Sequence, residues 1–158
     1  METLSIEKSN AIKAYQKTDA NGKNLLENLL GAQVFSMKIT DRIKTLEDVF
    51  EAKGLDYGVW LAKCEVNGDT PDEIAYKTMK AITEVLNEGW KPDWENGKEA
   101  KWFIWFENKK GSGLVFYDVD SWCTCTDVGS RLCFKNADLA RYAATQFAKV
   151  YSTFMNLN

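Results

Sequence analysis

The sequence predicts a mixed α+β fold: a helical N-terminal half, an aromatic-rich antiparallel meander of three or four strands, and a C-terminal amphipathic helix. Three observations carry that reading. Apolar residues recur at three- and four-residue spacing up to Gly89; between Lys101 and Val119 they alternate around a glycine-bearing turn; after Asn136 the helical spacing returns.

Taken in order, Ser5 caps a first helix to about Lys17, with Ile6, Ile12 and Tyr15 as its apolar positions. Asp19 or Asn21 starts a second, which carries Leu25, Leu26, Leu29 and Leu30 and stops at Gly31. A third runs from Thr40 or Thr45 to Lys53, with Ile43, Leu46, Val49 and Phe50 on one face and Gly54 as terminator. Thr70-Pro71-Asp72-Glu73 is the clearest helix start: Thr70 caps, Pro71 suits the first helical position and Glu73 reaches back. That helix extends to Asn87 or Glu88, burying Ile74, Thr78 or Met79, Ile82, Val85 and Leu86. Lys101–Glu107 and Leu114–Val119 form a hairpin, with further strands near Trp122–Thr126 and Arg131–Phe134. Asn136 caps the last helix, whose Leu139, Tyr142, Ala143, Phe147, Val150, Tyr151 and Phe154 share a face.

The chain reads as a single domain over residues 1–158, in which 1–38 can form a helical appendage to an α+β core of 39–158. Its 158 residues suffice to bury roughly 70% of the surface an unfolded chain exposes. Hydrophobic residues at 45% and charged residues at 27% are ordinary globular values, and no run is long enough to span a bilayer. The first residues lack the pattern of a signal peptide, so a cytoplasmic location is expected, with Cys64, Cys123, Cys125 and Cys133 as reduced thiols. A net charge of -3 argues against duplex DNA as a partner, although Arg131, Lys135, Arg141 and Lys149 against Asp138 give the last thirty residues a local +3.

Catalytic signatures are sparse. Histidine is absent, and no glycine-rich phosphate loop or nucleophile motif is present, which lowers an enzyme reading. Asp118 and Asp120, with Glu107 or Asp127, can gather carboxylates, but such spacing is common on a solvated strand face. Cys123 and Cys125 alternate onto one side of a strand near Cys133; without Cys-x-x-Cys spacing or histidine they read as plain thiols, so neither metal nor cofactor is expected. Val128-Gly129-Ser130-Arg131 can offer amides and a guanidinium to an anion, and equally reads as a turn followed by a surface arginine.

Aromatic density is the most informative feature. Trp90, Trp94, Trp102 and Trp105 lie close together in a chain with six tryptophans. In a strand Trp102, Ile104 and Phe106 point one way, and Phe103 and Trp105 the other. One face is core; the other is either covered by the Trp90–Trp94 loop or exposed as a stacking or protein-binding surface. The binding residues expected from this pattern are Trp90, Trp94, Trp102, Trp105, Arg131 and Lys135.

The segments Leu86-Asn87-Glu88-Gly89-Trp90-Lys91-Pro92-Asp93-Trp94, Val128-Gly129-Ser130-Arg131-Leu132-Cys133-Phe134-Lys135 and Ala140-Arg141-Tyr142-Ala143 with Gln146-Phe147 resemble an uncharacterised family of small proteins carried by phages and mobile elements of gut Bacteroidetes. The resemblance extends to Ala11-Ile12-Lys13-Ala14-Tyr15 and Gly22-Lys23-Asn24-Leu25-Leu26, nearly the whole chain. It implies a mobile-element origin and transfers no activity or cofactor. The family often has polar residues at the positions of Cys123 and Cys125 and a proline at that of Ile104, which leaves the aromatic segment as the shared feature. Three functions are therefore expected in descending order. The first is a non-catalytic accessory factor that engages a host or phage protein. The second is a binder of nucleotides or single-stranded nucleic acid through tryptophan stacking with Arg131 and Lys135. The third is a carboxylate-based or metal-assisted enzyme.

Overall fold

The computed structural model describes residues 6–35, 38–111, 113–126 and 129–155. Backbone contacts group the chain into two compact units, Met1–Lys38 and Ile39–Asn158.

The first unit contains α1 (Lys8–Lys17), α2 (Ala20–Leu30) and α3 (Ala32–Phe35). Asp19 caps α2 by accepting the Gly22 amide at 2.9 Å, and Gly31 ends it at φ 84°, a conformation that favours glycine. Ser5, the cap expected for α1, lies outside the described residues. Tyr15 stacks on Phe35 at 4.4 Å and donates to the Glu27 carboxylate. Leu25 and Leu29 of α2 remain exposed.

In the second unit, the helix expected up to Lys53 divides into α4 (Ile39–Arg42) and α5 (Leu46–Ala52). The division falls where Thr45 and Asp48 form a reciprocal cap: the Thr45 hydroxyl accepts the Asp48 amide, and the Asp48 carboxylate accepts the amides of Lys44 and Thr45 at 2.7 and 2.8 Å. Helix α6 (Tyr57–Val66), capped by Asp56, occupies a stretch to which the sequence pattern assigned no element. Its apolar residues run round the helix instead of forming a stripe, which conceals it from periodicity. Helix α7 (Pro71–Leu86) begins as expected, with the Glu73 carboxylate accepting the Thr70 amide at 2.7 Å.

The meander is smaller than expected. Among the described residues the sheet has two antiparallel strands, β1 (Lys101–Lys109) and β2 (Gly113–Trp122), not three or four. The chain from Cys123 to Thr126 leaves the sheet, and the segment expected as a fourth strand contains a 3-10 turn at Ser130–Leu132. Among the described residues a single bridge, between Trp102 and Phe134, returns it to β1. Gly129 at φ 79° turns the backbone immediately before that short helix, which breaks the extended run a strand needs. The last helix is likewise two, α8 (Ala137–Gln146) and α9 (Ala148–Met155), interrupted at Phe147.

One core holds this unit together. Helix α7 supplies Met79, Ile82 and Leu86, α5 supplies Val49 and Phe50, and α8 and α9 supply Leu139, Ala140, Ala143 and Tyr151. Trp102, Ile104 and Phe106 of β1 pack against it from the sheet side. The tryptophan-bearing loop connects α7 to β1.

Candidate functional site

The loop from Trp90 to Ala100 is organised by a buried lysine. Lys101, the first residue of β1, is 0% exposed. Its ammonium meets the Glu99 carboxylate at 3.1 Å, donates to the carbonyls of Asp93 and Asn96, and lies 5.4 Å from the centre of the Trp94 ring. A buried ammonium requires such partners, because desolvation costs several kcal/mol that a lone charge cannot recover. Glu99 in turn accepts the Trp90 indole N–H at 3.2 Å and the Asp93 amide at 2.8 Å. These donors, led by the Asp93 amide, hold the Glu99 carboxyl below its ordinary range.

Asn87, buried at the end of α7, fixes the other side of the loop. Its amide donates to the Cys133 carbonyl at 2.9 Å and its oxygen accepts the Lys135 amide at 3.0 Å. The chain around Arg131 is thereby fastened beside the start of the tryptophan loop. Glu88, the next residue, pairs with Lys135 at 3.0 Å and with Arg42 at 3.3 Å.

Between these anchors opens a pocket of about 480 Å³. Phe50, Trp60 and Trp90 contribute aromatic walls, and Lys53, Lys77, Lys80, Lys91 and Arg131 face it with Glu84 as the lone lining carboxylate. Trp60 lies against Phe50 at 4.3 Å, which fixes its ring from behind. Two of the cations are already engaged: Lys53 with Glu84 at 2.5 Å, and Lys77 with Asp69. The Lys77 ammonium lowers the Asp69 carboxyl, and Asp69 raises Lys77. Lys80 lies over the Tyr76 ring at 4.8 Å, and among the described residues Lys80, Lys91 and Arg131 have no carboxylate partner. The site combines flat apolar walls with three cations free to meet an anion.

The six residues expected to bind are thus separated by the fold. Trp90 and Arg131 line the pocket together. Trp94 is half-buried on Lys101, Trp102 is half-buried against the core with its backbone bridged to Phe134, and Lys135 is held by Glu88. Trp105 is exposed on the far face of β1. That second face is covered at one point along the strand and exposed at another. Lys101 at its start is enclosed by the loop, whereas Trp105 beyond it meets solvent.

Sequence reasoning missed Trp60, Lys53, Lys77 and Lys80, because they sit just after α5, on α6 and on α7, on elements that precede the tryptophan loop. The only local signal for Trp60 was the Asp56 cap, four residues before it.

Cys123 and Cys125 lie in the bend and coil after β2 instead of on a strand, and Cys133 and Cys64 are buried. Burial pushes the Cys133 thiol up to about 11 and raises that of Cys64 as well. Among the described residues, no three of cysteine, aspartate and glutamate are placed to hold a metal ion. No helix among them is long and apolar enough to cross a membrane. The chain matches no family model, no curated protein and no solved structure.

Proposed function

We propose that this is a non-catalytic binding protein whose cationic, tryptophan-walled pocket takes a small aromatic anion of the nucleotide class. The observation that carries the reading is the meeting of Trp60, Trp90 and Arg131 on one pocket of about 480 Å³, a volume typical of small-ligand sites. A base stacked on an indole gains about 1–3 kcal/mol, and a phosphate placed among Arg131, Lys91 and Lys80 makes charge-assisted hydrogen bonds. The pocket's positive charge is local, so it accords with a chain whose net charge of -3 disfavours duplex DNA.

Titration of the protein with adenosine, its monophosphate, its diphosphate and inorganic phosphate, followed by calorimetry and tryptophan fluorescence, tests this. Nucleotides are expected to bind more tightly than either half alone, and Trp90→Ala and Arg131→Ala to weaken them by about 1–3 kcal/mol each. Trp94→Ala should instead reduce stability by about 2 kcal/mol, through loss of its contact with the buried Lys101 ammonium, with affinity little changed. Nucleotide binding that is absent at millimolar concentration, or indifferent to Trp90 and Arg131, would sink the proposal.

The resemblance to mobile-element proteins noted in the sequence suggests a second reading, an accessory factor that engages a host or phage protein. The exposed aromatic side chains of the hairpin favour it, and they lie on residues that do not line the pocket.

A further inference from the structure

We infer that the outward face of the β1–β2 hairpin docks an arginine- or lysine-rich segment of a partner protein. The inference rests on the protein-engaging reading and deepens it by naming the partner's chemistry. Three large aromatics stand unburied on this small hairpin: Trp105 at 44%, Tyr117 at 68% and Trp122 at 52% exposure. None stacks on another ring or under a cation among the described residues.

The register explains how they are presented. Lys101 is directly opposite Trp122, Phe103 opposite Asp120, and Trp105 opposite Asp118, so these six share one face. The ladder shifts between Trp105 and Phe106, pairing Phe106 with Phe116 and leaving Tyr117 as the extra, bulged residue. Lys101 and Phe103 are buried, which leaves two indole–carboxylate pairs exposed: Trp105 across from Asp118, and Trp122 two residues beyond Asp120.

That combination has a chemical preference. A guanidinium or ammonium over an indole is attracted by the ring, and a carboxylate beside the same ring supplies the opposite charge. Asp118 already draws one guanidinium, that of Arg141, at 3.4 Å with both side chains about half exposed. A second copy of the chain is a poor occupant, because it would bring the same carboxylates against each other. Strand addition at the edge of β2 is obstructed too. The Asp118 carboxylate accepts the Val119 amide at 2.8 Å and the Asp120 carboxylate accepts the Ser121 amide at 2.7 Å, so two amides are not available to an incoming strand. The partner must engage the face through its side chains.

The test uses the full chain and three soluble peptides of equal length, repeating Arg-Gly, Lys-Gly or Glu-Gly, followed by calorimetry at low and physiological salt. The Arg-Gly peptide is expected to bind saturably and more tightly than Lys-Gly, with Glu-Gly inert. Trp105→Ala combined with Trp122→Ala should weaken it about tenfold. Asp120→Asn retains an oxygen for the Ser121 amide while removing the charge, and should weaken binding without altering the near-ultraviolet dichroism that reports the fold. Equal binding by wild type and the double tryptophan variant, or no saturable binding, overturns the inference. Concentration-dependent dimers abolished by the same variants would also overturn it, by making a second copy the occupant. A pull-down with wild type and the double variant separates the two levels of the claim. Capture of an acidic or neutral protein through Trp105 and Trp122 defeats the basic chemistry alone, and capture indifferent to both tryptophans defeats protein engagement by this face as well.

Discussion

Lys101 illustrates how one residue shapes the candidate site. Its buried ammonium gathers Glu99, Trp94 and two carbonyls, and Glu99 carries the arrangement to the Trp90 indole that walls the pocket. The sequence marks Lys101 only as the polar first residue of an aromatic strand, and no pattern distinguishes it from the exposed Lys98 three residues earlier. The distinction arises from burial, which forces a charge to find partners. A pH dependence follows. The Glu99 carboxyl is held below its ordinary value of 4.5, and those of Asp48 and Asp69 below 3.8, so in the unfolded chain each takes up a proton at higher pH than in the native one. Their stabilisation is complete above the ordinary carboxylate range and is lost as pH falls through the depressed native values. The urea midpoint should therefore hold steady from neutral pH to about pH 5 and decline below it. Glu99→Gln should lower the neutral plateau and flatten the upper part of that decline, whereas a decline of identical shape would show that Glu99 does not contribute.

At the scale of elements, helix α7 unites core and site. Its buried stripe includes Ile82 and Leu86 at 0% exposure, while Lys77, Lys80 and Glu84 on its flank line the pocket. Ile82→Ala should cost about 2–5 kcal/mol through the cavity it leaves. Tyr151 on α9 offers the opposite case. Its ring packs at 5.3 Å from Phe106, but among the described residues its buried hydroxyl has no hydrogen-bond partner, and burial raises its pKa. Tyr151→Phe removes an unsatisfied polar atom and should leave stability unchanged or raise it by about 1 kcal/mol. Thermal melts of the two variants beside wild type check both, and a large loss for Tyr151→Phe would mean that the hydroxyl is bonded in solution.

For the whole molecule, the core residues from Ile39 to Tyr151 all belong to the unit Ile39–Asn158. A fragment of residues 39–158 should consequently melt cooperatively and retain any nucleotide binding that the full chain shows, since every lining residue lies between Phe50 and Arg131. Circular dichroism melting and the nucleotide titration applied to that fragment would decide it. A fragment without a cooperative transition would show that the first unit is needed for folding.

The sequence by itself determined the helix starts at Thr70 and Asn136, narrowed two others to Asp19 or Asn21 and Thr40 or Thr45, and determined the hairpin and the concentration of tryptophans between α7 and β1; the fold chose Asp19 and Thr45. These are local effects: caps, glycine turns and apolar periodicity act over a few residues and can be read from a few residues. It did not determine α6, whose apolar residues encircle the helix, or the end of the sheet at Trp122, which depends on Gly129 and the 3-10 turn drawing the chain away. Only the tertiary structure decided which tryptophans face solvent, the pocket or a buried lysine. That outcome depends on residues as far apart as Phe50 and Arg131 meeting across the core, and no short-range pattern records such a meeting.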